Sequence, residues 1–248
     1  MMSGGGALRY PLIRPVGLGG LLVTFSDELT DTANRAALAF RAEIDAAAIA
    51  GVCETATSLT STFMAFDPTR LEFDELEARL RGLLAKSSAR APQAGRRLWR
   101  IPVAFGGAEG PELGAAAELA GRTPQQAIAE LAATPVRVLT IGFAPGQPYL
   151  GPLPENWNIP RRGGLTASVP AGALVVAVRQ LVLFARASPT GWRRVGQTAF
   201  RPFRPDTDDP FAFRPGDEVR LIAVSAARLA DLGLRGDPDG GATCEPVQ

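Results

Sequence analysis

The stretch Ile141-Gly-Phe-Ala-Pro-Gly-Gln-Pro-Tyr-Leu-Gly151 decides the fold of this chain, because it is dense in residues that shape the backbone. Glycine permits positive φ angles, whereas proline fixes φ and removes a hydrogen-bond donor. Three similar segments follow: Ile159-Pro-Arg-Arg162, Ser168-Val-Pro-Ala-Gly172 and Ser188-Pro-Thr-Gly-Trp192. Loops shaped this closely usually line a site, although the tight turns of a β-rich domain need the same residues.

The residues around these loops have the pattern of short strands. Apolar, β-branched runs begin near Leu98 and recur at Val136 to Phe143, Leu174 to Val178, Leu181 to Phe184 and Glu218 to Val224. Two short helices lie between the run near Leu98 and the run at Val136, and the second has Thr123, Pro124 and Gln126 where an N-cap, a first helical residue and a capping-box partner belong. Because Pro and Gly interrupt every gap, the pattern favours a barrel over a parallel α/β sheet.

The first part of the chain predicts a separate α+β domain. Strand-like runs surround a helix that begins after Thr30, and a second helix carries Leu76, Leu80 and Leu83 on one side. We interpret this order as a ferredoxin-like domain over residues 1–90, with a linker at Ser87 to Gly95. The barrel domain then covers residues 96–232, and the Gly-, Asp- and Pro-rich residues 233–248 are expected to be a disordered tail.

Composition excludes several functional classes. The chain has 248 residues, 46% of them hydrophobic, and a formal charge of +1, which gives no broad basic surface for nucleic acid or an anionic membrane. No apolar run reaches the length of a membrane span and the first residues do not resemble a signal peptide, so we expect a cytoplasmic protein. Cys53 and Cys244 form no CxxC pattern, which predicts neither a metal site nor a disulfide; Cys53 is expected in the core.

Two absences limit the chemistry further. The sequence contains no histidine, which excludes a Ser-His-Asp triad and histidine-ligated zinc on this chain. Lys86 is its one lysine, and there is no GxxxxGK[ST] string to cradle ATP phosphates. Ser168 and Ser188 would need a base from elsewhere to become nucleophiles. No catalytic residue is therefore assigned.

The segments quoted above, in their order along the chain, resemble the family that includes allophanate hydrolase subunit 1, the B subunit of ATP-dependent 5-oxoprolinase and the sporulation kinase inhibitor KipI. Further matches are Gly20-Leu-Leu-Val-Thr-Phe25, Phe66-Asp-Pro68 and Ile101-Pro-Val-Ala-Phe-Gly-Gly107. The resemblance covers about residues 8 to 224. It implies that the second domain is a cyclophilin-like barrel and one half of a carboxyltransferase module.

The same resemblance implies a function shared with other chains. A 5-oxoprolinase uses ATP to open 5-oxo-L-proline to L-glutamate, and this chain would pair with a C-subunit homologue resembling allophanate hydrolase subunit 2 and with an A subunit. The substrate would be a small acidic lactam. ATP would be used by the assembled complex, because this chain has no P-loop.

Several residues in the informative loops suit such a substrate. Arg161 and Arg162 each carry a planar guanidinium that matches a carboxylate, although solvated surface arginines explain them equally well. Gln180 can both donate to and accept from a lactam, or it can satisfy a turn. Tyr149 and Trp192 can wall an apolar pocket, or they can belong to the core. The resemblance adds Gly146, Pro170 and Gly172, whereas Phe143 is assigned to the core.

Three departures from the family pattern keep two other functions open. The stretch Leu131-Ala-Ala-Thr134 lacks a usual His-Thr pair, Gln147 replaces an aromatic residue, and Arg179-Gln-Leu-Val182 replaces Gly-Gln-Thr-Gly. The missing histidine and the lost glycines beside Gln180 favour a regulatory protein that binds a sensor kinase, as KipI does. Half of a urea carboxylase-type module is the remaining alternative; this chain cannot be the biotin carrier, because Lys86 lacks flanking methionines.

Overall fold

The computed structural model describes residues 9–86 and 97–247, which form two compact units divided between residues 93 and 94. The predicted linker, Ser87 to Gly95, lies outside the described residues. Within the described ranges, every helix is too short or too polar to cross a membrane.

The first unit is a four-stranded antiparallel sheet with two helices. Its elements are β1 (Leu12–Pro15), β2 (Gly20–Thr24), α1 (Asp31–Ala47), β3 (Val52–Ser58), β4 (Ser61–Phe66) and α2 (Phe73–Lys86), and the strand order is β1-β2-β4-β3. The α1 helix begins as predicted, because the Thr30 hydroxyl oxygen accepts a hydrogen bond from the Ala33 N–H (3.1 Å). Leu21, Phe40, Met64 and Leu80 are fully buried in the core of this unit.

This unit confirms the α+β class but not the ferredoxin-like arrangement. A ferredoxin-like domain runs β-α-β-β-α-β, whereas here the order is β-β-α-β-β-α, and β1 pairs with β2 and β3 with β4 as hairpins. The prediction for Cys53 was wrong. Cys53 lies on β3, a strand at the edge of the sheet, and it is exposed.

The second unit is mainly β-structure. It contains β5 (Arg97–Phe105), α3 (Leu113–Leu119), α4 (Pro124–Ala133), β6 (Val136–Ile141), β7 (Pro148–Gly151), a 3-10 helix (Glu155–Trp157), β8 (Thr166–Val169), β9 (Ala173–Ala177), β10 (Gln180–Leu183), β11 (Ser188–Thr190), β12 (Arg193–Gln197), β13 (Glu218–Val224), α5 (Ala226–Leu234) and β14 (Thr243–Pro246). The capping box of α4 is confirmed: Thr123 and Gln126 exchange both hydrogen bonds. Sequence analysis did not predict α5.

Seven strands close into a barrel. They follow the order β12-β9-β10-β7-β6-β13-β5, and the ring closes where β12 pairs with β5. All pairs are antiparallel except β13 with β5, which is parallel. This closed ring confirms the predicted barrel and fits the cyclophilin-like fold that the resemblance implies.

Alternation along the strands separates the inside of the barrel from its outer face. Leu174 and Val176 on β9 and Leu181 on β10 belong to the barrel core. The residues between them, such as Val175 and Val182, belong to a second apolar cluster. Successive side chains of a strand point to opposite faces, so this second cluster lies on the outer face. There it packs against Val169 and Trp192, which border the two-stranded ribbon of β8 and β11.

A buried carboxylate ties the first strand of the barrel to β13. Asp217 is 3% exposed and accepts two hydrogen bonds from the Arg97 guanidinium, one from the Trp99 indole N–H (3.3 Å) and one from the Arg214 backbone N–H (2.8 Å). The hydrogen bond to Asp217 raises the pKa of Arg97. This carboxylate therefore joins β5 to the segment before β13, although Arg97 and Asp217 are 120 residues apart in sequence.

The prediction of a disordered tail was wrong. Residues 233–234 end α5, and β14 pairs antiparallel with β5 through Thr243 opposite Arg100 and Pro246 opposite Arg97. All four residues of β14 are exposed, so side-chain burial does not hold the strand in place. Backbone hydrogen bonds to the edge of β5, together with the Arg100–Glu245 ion pair, explain its position.

Candidate functional site

A cleft of about 300 Å³ lies on the outer face of the barrel, beside the ribbon of β8 and β11. Its lining comes from β7, β10, the loop after Ile159 and the β11–β12 turn. The lining residues are Phe143, Gln147, Tyr149, Arg161, Arg162, Leu165, Val182, Phe184, Pro189, Thr190, Gly191 and Trp192. Four of the eight residues predicted to bind substrate, namely Tyr149, Arg161, Arg162 and Trp192, thus meet in one place.

Strand register explains how the floor of the cleft is built. Tyr149 on β7 is paired with Val182 on β10. Because side chains two residues apart share a face, Gln147 joins Tyr149, and Phe184 joins Val182, on the outside of the barrel. Gln147, Val182 and Phe184 are 1%, 2% and 4% exposed. The floor is therefore mostly apolar and contains one deeply buried carboxamide.

An aromatic pair and a guanidinium form the wall above this floor. The rings of Tyr149 and Trp192 meet edge to face with centroids 6.1 Å apart, and the Arg161 guanidinium carbon lies 5.3 Å from the centre of the Trp192 ring. Burial raises the pKa of the Tyr149 phenol, although the charge of Arg161 opposes the shift. Tyr149 therefore stays neutral near pH 7 and can donate a hydrogen bond beside a cation.

The two neighbouring arginines have different surroundings. One guanidinium nitrogen of Arg162 donates to Glu112 and to the Thr166 hydroxyl, and the Arg162 backbone N–H donates to the Gly191 carbonyl (2.7 Å). The other oxygen of Glu112 accepts from the Arg194 N–H (2.8 Å). Arg162 thus holds the loop in place, whereas Arg161 is paired with none of the described carboxylates.

The structure places Gln180 outside the cleft. It is the first residue of β10 and is paired with Ala177. Its side chain shares a face with Val182 and Phe184, but it lies two residues before Val182 and four before Phe184. Gln180 is 6% exposed, and its side-chain oxygen is sealed from solvent without a hydrogen-bond partner. It does not line the space that Arg161 borders.

Gly146, Pro170 and Gly172 also lie outside the lining of the cleft. Gly146 has φ +68, and a side chain there would stand 2.8 Å from Phe203 Cβ. Pro170 accepts a backbone hydrogen bond from Ala173 at the turn between β8 and β9 (3.2 Å). Backbone packing explains these positions without a ligand.

Eight of the twelve lining residues were not among the predicted site residues, including Phe143, Leu165 and Gln147. Phe143 was assigned to the core, but it is 73% exposed, and its backbone is left-handed, with φ +69, just after β6. Leu165 is 76% exposed on the same cleft. Gln147 could have been found from its place two residues before Tyr149, since strand alternation puts both on one face.

A wider depression of about 570 Å³ lies in the first unit, between the end of α1 and β3. It is open, its lining contains no aromatic residue, and none of the predicted site residues borders it. No group of three or more potential metal-ligating side chains occurs in the described part of the chain. We therefore take the cleft on the barrel as the candidate site.

Gly172→Ala should destabilise the barrel. Gly172 has φ +78, and an added Cβ would stand 2.3 Å from the Thr198 carbonyl oxygen. The left-handed backbone alone costs an alanine about 1 to 3 kcal/mol, and the clash adds to this. Thermal unfolding of the full chain should show a melting temperature lower by several degrees.

Gly114→Ala in α3 is the matched control, because nothing lies within 4 Å of its added Cβ and alanine favours a helix. Its melting temperature should stay level or rise slightly. If Gly172→Ala melts with the control, the tight packing of this turn is refuted.

The comparisons with known proteins agree with this architecture. Residues 11–213 match the family model described as carboxyltransferase domain, subdomain C and D. The chain is 37% identical over 156 residues to the 5-oxoprolinase B subunit of Escherichia coli O157:H7, covering 63% of this chain and 70% of the relative. It is 28% identical over 228 residues to the 5-oxoprolinase B subunit of Bacillus subtilis (strain 168), covering 88% and 94%.

Solved structures show the same fold. The structure of TTHA0988 superposes with a TM-score of 0.72 at 28% identity and covers 87% of this chain, but this chain spans only 41% of that protein. The K. lactis urea amidolyase superposes with a TM-score of 0.78 at 17% identity, covering 95% of this chain and 16% of that protein. Because the family model matches most of its length, the chain belongs to the family of carboxyltransferase domains of subdomain C and D type, which includes the 5-oxoprolinase B subunits.

Proposed function

We propose that this chain is the B-subunit component of an ATP-dependent 5-oxoprolinase, which opens 5-oxo-L-proline to L-glutamate together with partner subunits. The names of the curated relatives support this reading. One structural observation carries it further. The cleft holds an arginine, Arg161, that stacks on Trp192 and has no carboxylate partner among the described residues, beside a neutral phenol. A small acid with a ring fits this combination of charge and apolar surface.

The chemistry explains why ATP is needed. A lactam is a stable amide, so its ring does not open readily in water. Transfer of the terminal phosphoryl group of ATP to the lactam oxygen creates a leaving group. Water then adds to the same carbon, the ring C–N bond breaks, and the nitrogen takes up a proton. A second water releases the phosphate, so that ATP and two molecules of water are consumed, and glutamate, ADP and phosphate form.

The residues of this chain would bind and orient the substrate. Arg161 would hold the carboxylate through a two-pronged, charge-assisted hydrogen bond. Trp192 and Tyr149 would pack against the ring from the sides. The sequence offers no P-loop for a nucleotide, so we assign ATP to a partner subunit.

The rim of the cleft supports a partner at this site. Phe143 and Leu165 are large apolar side chains, both more than two-thirds exposed, at the mouth of the cleft. Exposed apolar residues next to a binding site are typical of a protein interface. We propose that the C-subunit homologue covers this rim and completes the site, with the A subunit joining the assembly.

Reconstitution tests the proposal. The purified chain is mixed with its C-subunit homologue and A subunit, and glutamate and ADP are measured with 5-oxoproline and ATP. We expect turnover from the full mixture and none from this chain alone, since it has neither a P-loop nor a histidine base. Omitting each subunit in turn is the control.

Two outcomes would contradict the proposal. An assembled mixture that forms no glutamate would refute the assigned reaction. Robust turnover by this chain alone would refute the division of labour. If the chain instead co-purifies from its native cell with a sensor kinase and inhibits it, the regulatory alternative is correct.

A further inference from the structure

Gln147 is a polar residue in an apolar floor. It is 1% exposed, immediately precedes β7 and lines the floor of the cleft. A buried carboxamide without partners is costly, so its hydrogen bonds must be accounted for. The oxygen has a partner: it accepts from the backbone N–H of Ala185, at 3.4 Å.

The side-chain nitrogen of Gln147 carries two N–H donors, and neither has an acceptor among the described residues. It also differs from the atoms that are sealed inside the protein without partners, such as the oxygen of Gln180 and Nε of Arg194. Because Gln147 lines the cleft and its oxygen faces the backbone of Ala185, the NH₂ group faces the open side. The floor of the cleft thus presents a fixed donor that lacks an acceptor.

We propose that Gln147 Nε2 donates a hydrogen bond to a carbonyl oxygen of the substrate, and that Arg161 binds the carboxylate of the same molecule. The ligand class is a compact carboxylic acid with a carbonyl on its ring. This inference rests on the proposed function and refines it, because it moves the recognition of the lactam from Gln180 to Gln147. Gln147 is then the residue that separates an oxo acid from a plain cyclic acid.

The rejection of a plain ring follows from the cost of unmade hydrogen bonds. A ligand without the carbonyl would cover the Gln147 NH₂ with apolar surface and leave it unpaired. A site built to bond a polar group discriminates against the analogue that lacks it. The carboxylate contact is the same for both ligands, so the difference in affinity measures the contact between the carbonyl and Gln147.

Three acids with the same ring size test this on the full chain: 5-oxoproline, 3-oxocyclopentanecarboxylate and cyclopentanecarboxylate. The second keeps the carbonyl without the lactam nitrogen, and the third has neither. Their dissociation constants are measured by ligand-observed NMR. We expect both oxo acids to bind about 3- to 10-fold more tightly than cyclopentanecarboxylate.

Gln147→Leu keeps the size of the side chain and removes the donors. The affinity of the oxo acids relative to cyclopentanecarboxylate should therefore fall to about one, while cyclopentanecarboxylate binds as before. Gln180→Leu, a matched change on the same face but outside the cleft, should leave the ratio unchanged. A ratio that survives Gln147→Leu would overturn the inference, as would an equal loss for all three acids or no binding to the parent chain.

The binding experiment and the reconstitution together separate this inference from the proposed function. If the assembled complex forms no glutamate but the oxo-acid ratio still depends on Gln147, the function is wrong and the inference stands for another oxo acid. If the complex turns over and the ratio ignores Gln147, the function stands and the inference falls.

Discussion

Replacing Arg161 by alanine should reduce kcat/KM of the assembled enzyme for 5-oxoproline about ten- to a hundredfold. The loss corresponds to about 1.5 to 3 kcal/mol, the strength of a charge-assisted hydrogen bond to a carboxylate. The fold should survive, because the guanidinium is exposed and only stacks on Trp192. Steady-state kinetics at several substrate concentrations, with a melting curve of the variant chain, measure both effects.

Two neighbouring changes sharpen this prediction. Arg161→Lys keeps the charge but loses the planar fork, so it should recover only part of the activity. Arg162→Ala removes the link to Glu112 and Thr166, so it should lower the melting temperature as well as activity. Parental kcat/KM in Arg161→Ala would exclude Arg161 as the carboxylate ligand.

Asp217→Ala should have the largest effect on stability. It leaves the Arg97 guanidinium, the Trp99 indole N–H and the Arg214 N–H without their shared acceptor. Removing one partner of a buried ion pair costs about 3 to 5 kcal/mol. Urea unfolding followed by tryptophan fluorescence measures this, because all three tryptophans of the chain lie in the second unit.

Asp209→Ala is the matched control. Asp209 faces Arg214 at 4.0 Å, and both side chains are about 70% exposed. Exposed pairs of this kind contribute little, so the unfolding midpoint should hardly move. If Asp217→Ala also unfolds at nearly the parental midpoint, Asp217 does not join β5 to β13 as the structure indicates.

The sequence predicted those helices and strands whose formation depends on residues that are close together in the chain. Thr30 and Thr123 mark helix starts because each side chain bonds a backbone N–H three residues on. The apolar runs at β9 and β10 predicted strands, and the structure buries them on both faces. The β14 strand escaped prediction, because its pairing depends on the edge of β5, about 145 residues earlier.

The site was partly visible for similar reasons. Tyr149, Arg161, Arg162 and Trp192 were chosen from loop chemistry, and the fold brings them into one cleft, although their roles stay predictions. The sequence did not show that Glu112 engages Arg162, because the two are 50 residues apart. Nor did it show that Gln180 falls one strand step outside the cleft, which follows only from the pairing of β10 with its neighbours.

The closure of the barrel through β5 has a consequence for synthesis of the chain. The hydrogen-bonding partners of β5 are β12, β13 and β14, the last strands to leave the ribosome. The first unit pairs strands that all lie before residue 67, so it can fold while the rest is being made. Contacts between distant residues form slowly, and an unpaired edge invites association with other chains. In a nascent chain the edges of β5 therefore stay unpaired until translation is nearly complete. We expect a chaperone to bind the chain at this strand during that time.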